Sequence, residues 1–160
     1  MSTSQCKCTV CDWFHGGTDD WIKMRQGSDG VDWTKMSYCS NAISVLEQHI
    51  DDVDWHALSQ NTSAIHMLEK NLDKVCWTAL SGNPKAIHII EENLDKVNWD
   101  LLSRNPKAIH ILEKNPDKVD LIMLSSISTR TCIHYQPTQD ECNKANVLAK
   151  EVMTYKDSSN

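Results

Sequence analysis

Four of the six tryptophans, Trp33, Trp55, Trp77 and Trp99, stand 22 residues apart. A chain that copies itself on so short a period is confined to architectures in which one small unit stacks on the next. The period holds in other columns. Met36, Leu58, Leu80, Leu102 and Leu124 form one, followed by Ser37, Ser59, Ser81, Ser103 and Ser125. Ala42, Ala64, Ala86 and Ala108 precede Ile43, Ile65, Ile87 and Ile109. Leu46, Leu68, Ile90 and Leu112 stand before Glu47, Glu69, Glu91 and Glu113, and Val53, Val75, Val97 and Val119 close the unit. Chance helical periodicity does not register this many columns; tandem duplication does.

Each unit reads as two short helices. Asp32, Asp54, Asn98 and Asp120 precede the Trp position and can accept a hydrogen bond from the first helical turn. Cys76 holds that place in one unit and predicts its worst-capped helix. Trp99 and Leu102 share a helix face. Asn105-Pro106 then reads as a cap followed by proline at a position where its missing N–H is harmless. Ala108, Ile109 and Leu112 predict a buried stripe on the second helix. Asn115 is placed to end that helix in a left-handed conformation, with Pro116 stopping it. A helix pair this short cannot bury its stripe alone, so the expected fold is all-α, a small helical-repeat solenoid. The expected core is Trp33, Trp55, Trp77 and Trp99 with Ile43, Ile65, Ile87 and Ile109. An exposed tryptophan ladder is the alternative.

The expected organisation has three parts. Residues 1–30 form an irregular, cysteine-rich N-terminal cap. Residues 31–120 form the four-unit array. Residues 121–160 hold a decaying fifth unit, a capping helix and a loose tail. In the fifth unit Leu121 replaces Trp, and Arg130 and Thr131 stand where Ala and Ile belong. Thr138 and Glu141 make a capping box for a helix over 139–155, whose stripe reads Cys142, Ala145, Leu148, Val152 and Tyr155.

Charge and composition narrow the function. Sixteen basic and 22 acidic residues give a formal net charge of −6, which argues against general nucleic-acid binding. No apolar run reaches the roughly 18 residues of a bilayer span, so no membrane partner is expected. Met1 to Phe14 lack the apolar core of a secretory leader. The odd count of seven cysteines then fits a reduced, intracellular setting better than a disulfide framework.

Cys6, Cys8, Cys11 and His15 are four candidate zinc ligands in ten residues. Zinc takes such a set tetrahedrally and can replace a core in a small region. The single residue between Cys6 and Cys8 is tighter than structural zinc sites use. Cys132, His134 and Cys142 can contribute only if the termini meet. Reduced thiols without metal, and no cofactor, are the competing expectation. His66, His88 and His110 share one column, expected to face solvent with each imidazole near the glutamate three residues on, Glu69, Glu91 and Glu113; a pH-sensitive contact surface is the alternative. Copies in successive units should stand roughly 9–10 Å apart, too far for one metal ion. Catalysis is not expected, since a catalytic residue is seldom copied once per unit and no glycine-rich phosphate loop occurs. The columns that vary are His56, Thr78 and Asp100; Gln60, Gly82 and Arg104; and Ser63, Lys85 and Lys107. Solenoids recognise proteins through such positions. Lys85, Arg104 and Lys107 form a basic cluster that is either a solvated, salt-screened face or suited to an acidic partner surface.

Written from this chain, the unit is Asn-Pro-Lys-Ala-Ile-His-Ile-(Ile/Leu)-Glu-x-Asn-x-Asp-Lys-Val-x-Trp-x-x-Leu-Ser. It resembles the short tandem repeat of many proteins of giant and algal large DNA viruses, the nucleocytoplasmic large DNA viruses. The resemblance covers 33–120 and fades over 121–135. Ser40 and Thr62 depart from it where the motif has Pro, and Leu121 where it has Trp. It implies a viral protein made in the host cytoplasm and implies no reaction. The expected function is a non-catalytic interaction or structural module, a minor capsid component of the virion being one form. A zinc-stabilised binder centred on Cys6–His15 and an adaptor engaging a host protein are the alternatives. The expected partners are proteins, either of the capsid or of the host.

Overall fold

The computed structural model describes residues 30–128 and 137–158. Among them every regular element is helical. In chain order these are α1 (Trp33–Tyr38), α2 (Ile43–Leu46), α3 (Trp55–Gln60), α4 (Ile65–Lys70), α5 (Trp77–Ser81), α6 (Ile87–Glu91), α7 (Trp99–Ser103), α8 (Ile109–Glu113), α9 (Leu121–Ser125) and α10 (Gln139–Ser158). The fold is the all-α helical repeat of solenoid type that the 22-residue period requires. The chain divides into two compact units between Val75 and Cys76. In the first, α1 packs on α3; in the second, α5, α7 and α9 follow one another in sequence order and α10 lies against α8 and α9.

The capping residues explain where the first helix of each repeat starts. The side chains of Asp32, Asp54, Asn98 and Asp120 accept hydrogen bonds from the backbone N–H groups of Lys35, Ala57, Leu101 and Met123. Cys76 has the same extended backbone, but its side chain makes no cap hydrogen bond. The carboxylates are tuned by these contacts. Asp54 is held below its ordinary value of 3.8, first by the Ala57 N–H and then by the Thr34 hydroxyl. Asp32 is lowered chiefly by its contacts with Lys35.

The core differs from the expected one. Leu58, Leu80, Leu102 and Leu124 are fully buried, as are Ala42, Ala64, Ala86 and Ala108. The four repeat tryptophans are only half-buried, as are Ile43, Ile65 and Ile87; Ile109 alone of its column is buried. The stripe on the second helix is instead Ala42, Val45 and Leu46 in one repeat, and Ala108, Ile111 and Leu112 in another. That spacing of i, i+3, i+4 keeps all three side chains on one helical face, whereas the residue at i+1 turns about 100° away.

Two end signals also differ. Asn115 has φ −134° and ψ 57°, not a left-handed backbone. Its side-chain amide donates to the Ile111 carbonyl at 2.8 Å, as Asn71 does to Met67 at 2.8 Å and Asn93 to Ile89 at 2.9 Å. The column therefore caps its helices by side chain. Likewise Pro106–Ala108 form a 3-10 turn, and α8 begins only at Ile109.

Candidate interaction surfaces

The repeated polar residues join repeats to one another. Ser103 Oγ, fully buried, donates to the Trp99 carbonyl at 2.8 Å and accepts the Asp120 N–H at 3.0 Å. Ser81 does the same with Trp77 and Asn98, and Ser37 with Trp33 and Asp54. Asn61, Asn83 and Asn105 form a second buried column. Asn105 Nδ2 donates to the Ser81 carbonyl at 3.1 Å and the Asn83 carbonyl at 3.2 Å, and its Oδ1 accepts the Lys107 N–H at 3.1 Å. Asn61 repeats the pattern with Ser37 and Ser63. Buried polar atoms must be paired, and every buried side-chain nitrogen and oxygen among the described residues is. The ends of this column are Cys39 and Ile127, both buried.

The tryptophans are partly shielded rather than fully bare. Lys74, Lys96 and Lys118 place their ammonium groups 5.4, 4.9 and 4.7 Å from the ring centroids of Trp55, Trp77 and Trp99. These are cation–π distances. Asp52 stands in that lysine column one repeat earlier, and Trp33 packs instead against the His49 ring at 5.1 Å. The core assignment of the tryptophans is thus corrected: all four are half-buried, and lysines stand over the rings of Trp55, Trp77 and Trp99.

The histidine column makes contacts between repeats, not within them. His66 Nε2 lies 2.9 Å from Glu47 Oε1, and His110 Nε2 lies 2.7 Å from Glu91 Oε1. The glutamate partner belongs to the preceding repeat, which corrects the expected pairing with the glutamate three residues on. These pairs are about half exposed and ionic only when the imidazole is protonated. His88 is exposed as well.

The variable columns point outward. His56, Thr78 and Asp100 are exposed, as are Gln60, Gly82, Ser63, Lys85 and Lys107; Arg104 is half-buried. The expected basic cluster is nevertheless broken. Lys107 Nζ is engaged by Glu141 Oε1 of α10 at 2.8 Å, so this cation is held within the chain. Lys85 and Arg104 remain as outward cations.

Glu141 is the centre of a cleft between α8 and α10. The space is about 250 Å³ and is lined by Pro106, Lys107, Ile109, His110, Glu113, Glu141 and Lys144. Glu141 is 8% exposed. Its second oxygen accepts the Thr138 N–H at 2.7 Å, and the Glu141 N–H donates to Thr138 Oγ1 at 3.2 Å. The expected capping box is therefore present, but its glutamate also grips Lys107. This rotates the buried stripe of α10 to Glu141, Ala145, Leu148 and Val152, leaving Cys142 half-buried and Tyr155 exposed. Lys144 is raised above its ordinary range by its hydrogen bond to Asp140 and by that carboxylate's charge, with smaller contributions from Glu113 and Glu141. At the other end Lys156 Nζ donates to the Val119 carbonyl at 2.8 Å. The helix continues to Ser158, where a loose tail was expected.

Cys6, Cys8, Cys11 and His15, with Cys132 and His134, lie outside the described residues. Among the described residues no group of histidine, cysteine and carboxylate side chains is placed to hold a metal ion, and no helix is long and apolar enough to cross a membrane. No protein-family model, curated protein or solved structure matches this chain.

Proposed function

We propose that this chain is a non-catalytic protein-interaction module of a large DNA virus, acting in the host cytoplasm or in the particle as a minor structural component. One observation carries the reading: the copied serines and asparagines are buried and join repeats, while the positions that differ between repeats, Arg104 apart, are exposed. Ser103 and Asn105 are fully occupied in the framework. Asp100 and Lys85, which break the repeat, face out. A surface that is fixed in frame and varied in side chain suits recognition of one protein. The viral assignment rests on the resemblance of the Asn-Pro to Leu-Ser unit.

The test is affinity capture from infected cells with wild type and a Lys85→Ser/Arg104→Ser variant. The reading expects capture of a protein that the variant loses at low salt, since both side chains lie outside the core. Equal capture by the two would remove these positions from the contact surface. Mass spectrometry of purified particles separates the two locations. Stoichiometric copies support a structural component, and absence from particles removes that form of the proposal.

A further inference from the structure

Asn61 belongs to the buried asparagine column, and it is the one asparagine of that column followed by Thr62-Ser63. Asn83 and Asn105 are each followed by Pro-Lys. This departure from the repeat writes Asn-x-Ser with x other than proline, the acceptor sequence for an N-linked glycan, and it occurs nowhere else in the chain. A glycan on such an asparagine needs a site at the surface. Asn61 is only 5% exposed. Its Nδ2 donates to the Ser37 carbonyl at 2.9 Å, and its Oδ1 accepts the Ser63 N–H at 3.0 Å. Its backbone is engaged as well: the N–H donates to the Leu58 carbonyl at 2.9 Å, and the carbonyl accepts the Ala64 N–H at 3.1 Å. Ser37 lies in α1 and Asn61 follows α3, so this amide pins together two helices that pack on each other. The acceptor nitrogen of the modification is thus the donor nitrogen of the joint.

We propose that Asn61 is a glycan acceptor only in the unfolded chain, and that its modification and closure of the first repeat joint exclude each other. The donor is a lipid-linked oligosaccharide pyrophosphate, which a chain meets as it enters the secretory route. Transfer joins sugar C1 to Asn61 Nδ2 and breaks the bond from C1 to the pyrophosphate oxygen. The pyrophosphate leaves with the electrons of that bond, and the amide gives up one proton. The N–H that remains sits on a nitrogen carrying a sugar ring, and a close-packed site that is 5% exposed has no room for one. With the amide kept out, the Ser37 carbonyl loses its Asn61 donor and the Ser63 N–H loses its acceptor, and buried polar groups left without partners are costly. Folding in turn withdraws Nδ2 from the transferase. The joint between α1 and α3 therefore closes in a compartment without oligosaccharyl transfer. This inference uses no partner surface, and its readout is folding rather than capture.

The test sends the full-length chain, behind an added secretory leader, through mammalian cells as wild type and as Ser63→Ala. Alanine removes the acceptor sequence but keeps Asn61 and the backbone N–H that Asn61 Oδ1 accepts, and residue 63 is exposed. Both chains are purified denatured and reduced, then refolded side by side in reducing buffer, so cysteine oxidation does not separate them. Wild type should carry a glycan on Asn61, read by mass spectrometry. Its α1 and α3 amides should exchange at least about tenfold faster than those of Ser63→Ala. Ser63→Ala should match wild type made without the leader. Equal protection in the glycosylated and Ser63→Ala chains overturns the proposal, and so does wild type that leaves the secretory route unmodified. Failure of Ser63→Ala to refold overturns it too, because the loss would then not belong to the glycan.

Discussion

Between two repeats of the second unit, Ser81 and Asn105 meet through neutral, buried hydrogen bonds; between the repeats and α10, Lys107 meets Glu141 and Lys156 meets the Val119 carbonyl. The two joints close the same kind of apolar seam with different chemistry. Neutral side chains at the first joint add no net charge when stacked, so the device can be copied once per repeat. Each leaves an orphaned buried carbonyl or amide if its partner is removed, which is costly. The second joint is made once and uses ionised groups, of which Lys107 is about half exposed. Glu141 is 8% exposed, so losing its partner would strand a buried carboxylate, while the exposed side of the pair is open to screening by salt. The two joints should therefore differ first in their response to salt, the repeat joint being neutral and the cap joint ionic.

The sharpest way to break this comparison is Asn105→Ala. It removes the amide from the Ser81 and Asn83 carbonyls and the acceptor from the Lys107 N–H. Equilibrium urea unfolding should register a loss of about 3 kcal/mol. A loss below about 1 kcal/mol would show that the buried amide column is not what joins the repeats. Ser103→Ala comes next, at about 1–2 kcal/mol, because it orphans the Asp120 N–H. The same unfolding experiment reads it, and 0.5 M salt should leave the difference unchanged.

Glu141→Gln probes the other joint. Glutamine can keep the capping box with Thr138 but gives up the charge opposite Lys107. The expected loss is about 1 kcal/mol at low salt and less at high salt. A salt-independent loss as large as that of Asn105→Ala would erase the distinction between the joints. Cys76→Asp sharpens the comparison from the repeat side. It supplies the cap that Asp54, Asn98 and Asp120 already provide and should raise stability by about 0.5–1 kcal/mol.

Asp54→Asn is the smallest effect. The Asp54 carboxylate is lowered in the folded chain, so its contribution is present above its ordinary value of 3.8 and is lost as pH falls through the folded value. Asparagine caps without titrating. The variant should match wild type near neutral pH and lose less stability below about pH 4, read as thermal midpoints across an acid series.

The sequence made the repeat joint readable in part and the cap joint hardly at all. Copying exposed the Ser column and the capping Asp and Asn residues, because a local hydrogen bond depends on spacing that the chain itself carries. The Asn61, Asn83 and Asn105 column was equally periodic, but Asn105 reads locally as a helix cap before proline. Its second role needs the carbonyls of Ser81 and Asn83, more than twenty residues away. The tryptophans looked like core because Trp shares a helix face with Leu, and only the folded chain brings Lys118 over the Trp99 ring. Glu141 was legible as a capping residue and not as a partner of Lys107. That contact depends on how α10 docks, and no repeated copy exists to reveal it.

The central claim is that the Glu141–Lys107 pair holds α10 independently of the joints between repeats. Amide hydrogen exchange on full-length wild type and Glu141→Gln tests it most directly. The amides of α10 should exchange about fivefold faster in the variant, the equivalent of about 1 kcal/mol, while those of α7 and α8 stay within about twofold of wild type. Equal acceleration across α7, α8 and α10 would contradict the account, because the cap and the repeats would then be opening as one.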